Sequence, residues 1–400
     1  MGKRIDQNGV FKSIIWSFSI FVIGIMIAAL SFHMPMLILG RAFQGFGAGA
    51  LITCVYYCVA VRYPDSLRTK ILASFSMAFV LPALIGPYIA GLIAAYVSWR
   101  LVFLIVLPFI VISLFLTLPT FRSLQQPASA LTKKGNMKEL YAIILAIGTG
   151  ALLTGLSWIP DWKGILLTAA GILTMAQPLR KLLPAGTFSA ARGLPATIVA
   201  RGMYVACYFA TESFVVLALV EVKGLSENLA GLIVAAGALS WSAAAGLQSV
   251  LDARDHGSGR KIRILCGVGF IIVGVALIII AIASLGVGIG IAVLSQIIIG
   301  FGAGLANPTT AAIALQYAEP GEEGEVSSIL QFIDSFSIAL SIGIGGALVA
   351  ISETFNWGIG TGILMAISLQ LLFAVLSFIT SFRITKKDPI RDTGVSSSMY

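Results

Sequence analysis

The strongest constraint on this chain is a succession of apolar runs, each long enough to cross a lipid bilayer and each bounded by short polar segments. A helix rises 1.5 Å per residue, so roughly 20 mostly apolar residues cross about 30 Å of hydrocarbon. Twelve such runs read from the sequence, at 14–33, 36–61, 70–96, 100–118, 140–158, 162–176, 195–220, 227–250, 262–284, 287–316, 326–352 and 357–381. The run 162–176 is the shortest, and losing it would invert the topology of everything after it. Transmembrane β-strands need only about 10 residues and alternate in polarity. These runs are about twice that length and apolar on every side, so helices are the remaining way to satisfy the backbone in lipid. Composition agrees: 11% of residues are charged and 58% hydrophobic, against about 25% charged in soluble domains. Cys54, Cys58, Cys207 and Cys266 all lie inside apolar runs, which argues for free, buried thiols and against a disulfide framework or zinc site. The expected fold class is therefore all-α, a polytopic membrane protein of about 12 transmembrane helices.

The net charge of +9 would suit a nucleic-acid partner if it were clustered on a soluble face. It is distributed between the runs instead. Of the 26 Lys and Arg, Arg100, Lys163 and Lys223 fall on one side, and Arg41 and Arg201 fall inside spans. All the others fall in the N-terminal segment, the loops at 62–70, 119–139, 177–194 and 251–263, or the tail. Basic residues of short loops remain in the cytoplasm, so both termini are expected there, in a bacterial plasma membrane. No cleavable signal peptide is expected, because Lys3, Arg4 and Asp6 lead into a full-length span.

An internal repeat organises the chain. Gly45-Phe46-Gly47-Ala48-Gly49 recurs as Gly300-Phe301-Gly302-Ala303-Gly304, 255 residues on. The same offset carries the first four spans onto the last four, each within a few residues. Two related halves are the mark of a secondary transporter, whose substrate path lies between them. The offset places the counterparts of 195–250 before Met1, so two helices of the first half are expected to be missing, through an internal start or a truncation. A complete twelve-helix protein is the alternative. The expected division is 1–118, an incomplete N-terminal half of four spans; 119–194, a cytoplasmic loop and linking helical hairpin; 195–381, a C-terminal half of six spans; and 382–400, a cytoplasmic tail.

Three motifs resemble the major facilitator superfamily, and within it the fourteen-span drug:proton antiporter branch of actinobacterial type. The segment Gly2 to Gly9 with Asp6, followed by Lys12, is similar to the loop G-x-x-x-D-x-x-G-x-[RK] between that family's second and third spans. Its glycines permit a tight turn, and Asp6 can pair with a basic group or cap a helix end. The resemblance implies a latch on the inward side; a solvated basic leader is the other reading. Leu37-x-x-x-Arg41-x-x-Gln44-Gly45-x-Gly47-Ala48 resembles the fourth-span motif, whose arginine the family implicates in proton coupling. Arg41 lies about five residues from the outer end, so snorkelling is the alternative. Pro82-x-x-x-Gly86-Pro87-x-x-Ala90-Gly91 resembles the antiporter motif G-x-x-x-G-P-x-x-G-G, with Pro82 and Ala90 replacing glycines. A Gly86-Pro87 step removes a helical hydrogen bond and kinks the rod, while Gly91 allows close packing. That motif implies export.

Two carboxylates stand at lipid depth: Glu212, near Tyr208 and Phe209, and Asp334, one turn after Gln331. Such groups are costly as anions and suited to exchanging protons. Asp334, Glu212 and Arg41 are the expected proton-coupling residues. Glu212, Tyr208, Phe209, Gln44 and Gln331 are the expected substrate contacts, Glu212 neutralising a cation and the rings adding cation–π faces. A carboxylic acid hydrogen-bonded to a neighbouring helix is the plainer reading of each. Arg201 either pairs with a carboxylate or snorkels inward. The resemblance and the residues together imply a monomeric, proton-coupled exporter of amphipathic compounds, with no cofactor beyond the proton gradient, no metal and no nucleic acid. Uptake by the same fold and an inactive remnant remain open. A channel or membrane enzyme fits poorly, since no filter sequence, nucleophile elbow or zinc helix is evident and the only histidines are His33 and His256.

Overall fold

A computed structural model describes residues 5, 9–78, 82, 86, 89, 90, 93, 96–123, 137–284, 288–319 and 321–385. Among these residues there is no strand. The helices are α1 (Val10–Ala29), α2 (Met34–Arg62), α3 (Asp65–Met77), α4 (Trp99–Leu104), α5 (Val106–Ser123), α6 (Met137–Ser157) and α7 (Trp162–Leu182), followed by α8 (Leu194–Glu221), α9 (Glu227–Arg254), α10 (Arg260–Ala283), α11 (Ile289–Gln316), α12 (Glu323–Thr354) and α13 (Ile359–Ser381). Ten spans among the described residues are long and apolar enough to cross a membrane.

Several boundaries differ from the sequence reading for local reasons. The first span is Val10–Ala29, not 14–33, because the apolar stretch around Phe32 is a turn: His33 caps α2 by accepting from the Met36 N–H through Nδ1. The run 100–118 is interrupted at Ile105. Pro108 has no N–H to offer the Leu104 carbonyl, so α4 and α5 meet at a break. The short run 162–176 is a full 21-residue helix, capped by Asp161. Of 70–96, the described residues are helical to Met77 and again at 82, 86, 89, 90, 93 and 96.

Cross-links at one end of the bundle fix the parity of these crossings. Arg383 donates to the Ser189 carbonyl, Tyr317 to the Thr385 carbonyl, and Gln316 to Asp65. The turns after α2, α7, α11 and α13 therefore share an end, and an even number of crossings separates each from the next. This is the end where most Lys and Arg collect. At the other end Arg100 donates to the Ser31 carbonyl and Lys223 to the Ser284 carbonyl, each satisfying the C-terminal end of a helix.

The C-terminal half is built around α8, whose Ala196, Ala200, Tyr204, Val215 and Ala218 are buried against α10, α11 and α13. Close backbone approach supplies its density. A Cβ on Gly300 would overlap the Gly237 carbonyl, one on Gly302 the Gly267 carbonyl, and one on Gly304 the Trp241 carbonyl. In the repeated pentapeptide Gly47 meets Phe21 in the same way, whereas Gly45 has open space around it. The repeat register is 255 for α2 on α11 but 250 for α1 on α10, since Gly24 packs on Gly40 and Gln44 while Gly274 packs on Ser295 and Ile299. The stretch between the paired contacts is thus five residues shorter in the first half, because α1 ends four residues sooner after Gly24 than α10 does after Gly274 and the turn is one residue shorter.

The α6–α7 pair lays Leu145, Leu152 and Met175 against Phe332, Phe336 and Leu340 of α12. The two halves meet through Tyr56, Val59 and Ala60 of α2 and Leu72 of α3, packed on Ala311, Leu315, Val326 and Leu330. Large apolar side chains such as Phe115, Leu173 and Ile262 point outward, as lipid contact requires. Cys54 and Cys207 are buried, but Cys58 is only half-buried and Cys266 is exposed, on the outward stripe of α10 with Ile262, Phe270 and Val273.

Candidate functional site

A guanidinium within a hydrophobic helix is stable only where its donors are satisfied. Arg201 lies seven residues into α8, about 10 Å from the basic end, and is fully buried. Its Nε donates to Asp334 Oδ1 at 2.8 Å and its Nη2 to Asp334 Oδ2 at 2.8 Å, a bidentate ion pair between α8 and α12. Nη1 donates to the Asn307 carbonyl at 2.9 Å and to Thr310 Oγ1 at 3.0 Å, both on α11. The remaining Nη2 donor reaches the Tyr56 hydroxyl at 3.0 Å, on α2 of the other half. Tyr204 closes the cluster, its hydroxyl 2.6 Å from Thr310 Oγ1.

Of the two readings of Arg201, pairing is the one observed. Asp334, an expected proton-coupling residue, is its partner. Gln331, one turn before Asp334, donates to Ser335 at 2.8 Å and lies beside Gly49, at the seam between the halves.

Glu212 occupies a separate place. Eleven residues beyond Arg201 along α8, it is about 16 Å away along the axis. Its carboxylate lies beside the Tyr208 side chain, one turn before it on the same helix. Tyr208, Phe209 and Trp241 form an edge-on trio with centroids 4.6 Å apart for Tyr208 and Trp241 and 5.1 Å for Tyr208 and Phe209. Phe209 is partly exposed and Tyr208 buried, so the trio presents one open ring beside one carboxylate. This arrangement can hold a flat cation.

Arg41 is not brought to either carboxylate. It lies fifteen residues from Tyr56 on α2, about 22 Å along the axis. Its Nη1 donates to Gln44 at 2.8 Å, and its guanidinium stands 6.0 Å from the Phe103 ring. With Phe21, Gly45 and Val106 these groups line a cavity of about 340 Å³ between α1, α2 and the α4–α5 break. The expected coupling trio is therefore three separate positions. Gly9 precedes α1 with φ 81° and Lys12 is exposed, while Gly2 and Asp6 lie outside the described residues. Gly86 is described as helical; Pro87 and Gly91 lie outside the described residues.

A second polar cluster, missed in the sequence, fastens the basic end. Arg260 is buried and forks onto two carboxylates: Asp252 at 2.9 and 2.7 Å within its own half, and Asp65 at 3.0 and 2.9 Å on α3 of the other. Arg263 adds Asp252 and Asp255, each at 2.7 Å. Arg68 donates to the Ala60 and Tyr63 carbonyls, capping the end of α2, and reaches the Leu315 carbonyl at 3.4 Å. The signal was Asp252-Ala-Arg-Asp255 followed by Arg260 and Arg263, which reads as a solvated loop until Asp65 is placed beside it.

The family model described as Major Facilitator Superfamily matches residues 1–342. The chain is 23% identical over 362 residues to Multidrug resistance protein 3 of Bacillus subtilis, covering 87% of this chain and 68% of that one. It is 27% identical over 178 residues to Probable multidrug resistance protein EmrY of Escherichia coli, covering 44% of this chain and 34% of that one. Among solved structures, the human organic anion transporter MFSD10 superposes with a TM-score of 0.68 at 14% identity, over 95% of this chain and 79% of that one. With the helical pairs, the repeat and the family match agreeing, the chain belongs to the Major Facilitator Superfamily and is a multi-pass membrane transporter of that family.

Proposed function

We propose that this chain is a proton-coupled exporter of amphipathic aromatic or cationic compounds, working by alternating access in a bacterial plasma membrane with both termini in the cytoplasm. The observation that carries the reading is the Arg201–Asp334 pair, buried at the junction of the halves and bonded to both. Arginine does not release its proton in proteins, so a proton exchanged here moves on and off Asp334. A proton arriving from outside neutralises Asp334 and leaves Arg201 as an uncompensated cation. That state is tolerated only where water or a rearranged partner can reach it, which links protonation to opening of the seam. Glu212 with Tyr208, Phe209 and Trp241 serves as the substrate contact, held on the same helix as Arg201. Export rather than uptake is supported by the resistance proteins among the relatives and by the Gly86-Pro87 motif. The domain division at 118, 194 and 381 and a monomeric state belong to the same reading.

The test is Asp334→Asn in inverted membrane vesicles, following ethidium accumulation driven by an imposed proton gradient. The expected result is loss of gradient-driven transport, with ethidium exchange in the absence of a gradient retained. Full gradient-driven transport by Asp334→Asn removes Asp334 as the coupling site.

A further inference from the structure

Each of the five N–H donors of Arg201 has an acceptor. Four of the bonds stay within the C-terminal half, to Asp334, Asn307 and Thr310. The fifth leaves it, to Tyr56 on α2. Tyr56 is 5% exposed, its ring set edge-on to Phe75 at 6.2 Å and packed in the apolar seam with Ala311, Leu315 and Leu330. Its hydroxyl is thus the one N-terminal side chain, among the described residues, that is hydrogen-bonded to the ion pair. This bond exists only while α2 lies against α8, α11 and α12, so it belongs to the closed arrangement of the basic end and not to an arrangement in which the halves part there.

We propose that Tyr56 is a positioning residue that ties the charge state of Asp334 to closure of the two halves. The inference rests on the proton-coupling reading of Asp334. The ionised carboxylate holds the guanidinium plane through its Nε–Nη2 edge, which aims the second Nη2 donor at Tyr56. Adding a proton to Asp334 releases that edge: one N–H···O⁻ pair becomes a contact with a neutral acid, the guanidinium is free to turn, and the Tyr56 bond loses its fixed donor. Closure is then penalised twice, by the buried unpaired cation and by the lost bond across the seam. The titratable groups facing Asp334 are Arg201 and Tyr204 from α8 and Tyr56 from α2. α11 contributes only the Asn307 carbonyl and Thr310 hydroxyl, α6 packs its apolar Leu145 and Leu152 on the Phe332–Phe336 face of α12, and α13 carries no titratable side chain.

The experiment is a double-mutant cycle on the ratio of closed to open basic ends. Electron–electron distance measurements between spin labels at Arg62→Cys and Arg254→Cys, exposed ends of helices in different halves, give that ratio in lipid nanodiscs. The four native cysteines are replaced beforehand. Tyr56→Phe keeps the ring and removes the hydroxyl. At pH 7.5 it is expected to lower the closed-to-open ratio at least about tenfold, the loss of one hydrogen bond to a charged group. In the Asp334→Asn background the same change is expected to move the ratio less than about twofold. Should Asp334→Asn not survive purification, the Tyr56 and Tyr56→Phe proteins compared from pH 8 to pH 5 supply the same cycle, their ratios converging on acidification. An unchanged ratio for Tyr56→Phe, or an equal drop in both backgrounds, overturns the proposal, the second outcome reducing Tyr56 to a structural contact. Ethidium transport by Asp334→Asn separates the two failures. If that variant couples normally, the proton reading itself falls. If it loses coupling while the cycle is additive, only the assignment of Tyr56 falls.

Discussion

Asp65→Asn isolates the part of the basic-end cluster that crosses between the halves. Arg260 makes two bonds to Asp252, with both side chains 1% exposed, and these stay within the α9–α10 turn whatever the halves do. Its bonds to Asp65 cross the seam, and the Asp65 side chain is 40% exposed. The buried pair belongs to fold stability, where removing one partner costs about 3–5 kcal/mol. The exposed pair is screened by solvent and contributes about 1 kcal/mol to closure. Asp65→Asn keeps one acceptor for Arg260 and for Gln316 while removing the charge, so the closed-to-open ratio should fall about fivefold with little change in unfolding temperature. Arg260→Met should shift the ratio by a similar factor and also lower the unfolding temperature clearly. Electron–electron distances between labels at positions 62 and 254 read the ratio, and a thermal melt in the same nanodiscs reads stability. At about 1 M salt, where the Debye length is about 3 Å, the effect of Asp65→Asn should shrink. Acidity supplies a further control. The Arg263 hydrogen bond beside Asp255 holds its carboxyl below the ordinary carboxylate range, with the Gly259 and Gly257 N–H groups adding to this. A depressed carboxylate stabilises the fold above its unfolded value and loses that contribution as pH falls through its folded value, so this turn should stay intact from pH 8 to pH 5. An unaltered ratio in Asp65→Asn, with Arg260→Met shifting it about a hundredfold at unchanged stability, would refute this division of the cluster.

The remaining expectations are narrower. Gly300→Ala should destabilise the protein by about 1–3 kcal/mol through overlap with the Gly237 carbonyl, seen as a lower melting temperature, whereas Gly45→Ala, with open space around it, should melt as the parent does. Glu212→Gln should weaken transport of ethidium while sparing a neutral amphipathic substrate, compared as initial rates; an equal loss for both would count against charge recognition by Glu212.

The apolar runs made most spans legible because lipid forbids unsatisfied backbone, and a sequence obeying that rule can hardly hide its helices. The errors arose where the rule is silent. Phe32 and His33 lie in a stretch apolar enough to pass for a span, and only the His33 cap on Met36 shows where the chain turns. Pro108 broke the fourth span without changing its hydropathy. The pentapeptide gave the right register for α2 on α11, yet the earlier end of α1 and a turn one residue shorter displaced its neighbour by five residues, which only the contacts of Gly24 and Gly274 reveal.

At the site, the sequence identified groups but not pairs. A lone arginine in one apolar span and a lone aspartate in another each demand a partner, and the shared demand already hinted at Arg201 with Asp334. Tyr56 carried no such signal, because a tyrosine in a membrane helix serves equally well as an interfacial anchor. Arg41 shows the converse: the motif around it suggested participation in coupling, yet the length of α2 holds it about 22 Å from the ion pair. Any influence of Arg41 on Asp334 must therefore pass through movement of α2 as a rod, the same helix that carries Tyr56. Arg41 and Tyr56 thus stand at two ends of one lever, the first beside a cavity between α1, α2 and α4–α5 and the second on the charge pair. A compound or side chain engaging Arg41 would reach the proton site through the seam contacts of α2, and of these only the Tyr56 hydroxyl bonds to the ion pair, so Tyr56→Phe should reduce the effect of Arg41 substitutions on the closed-to-open ratio.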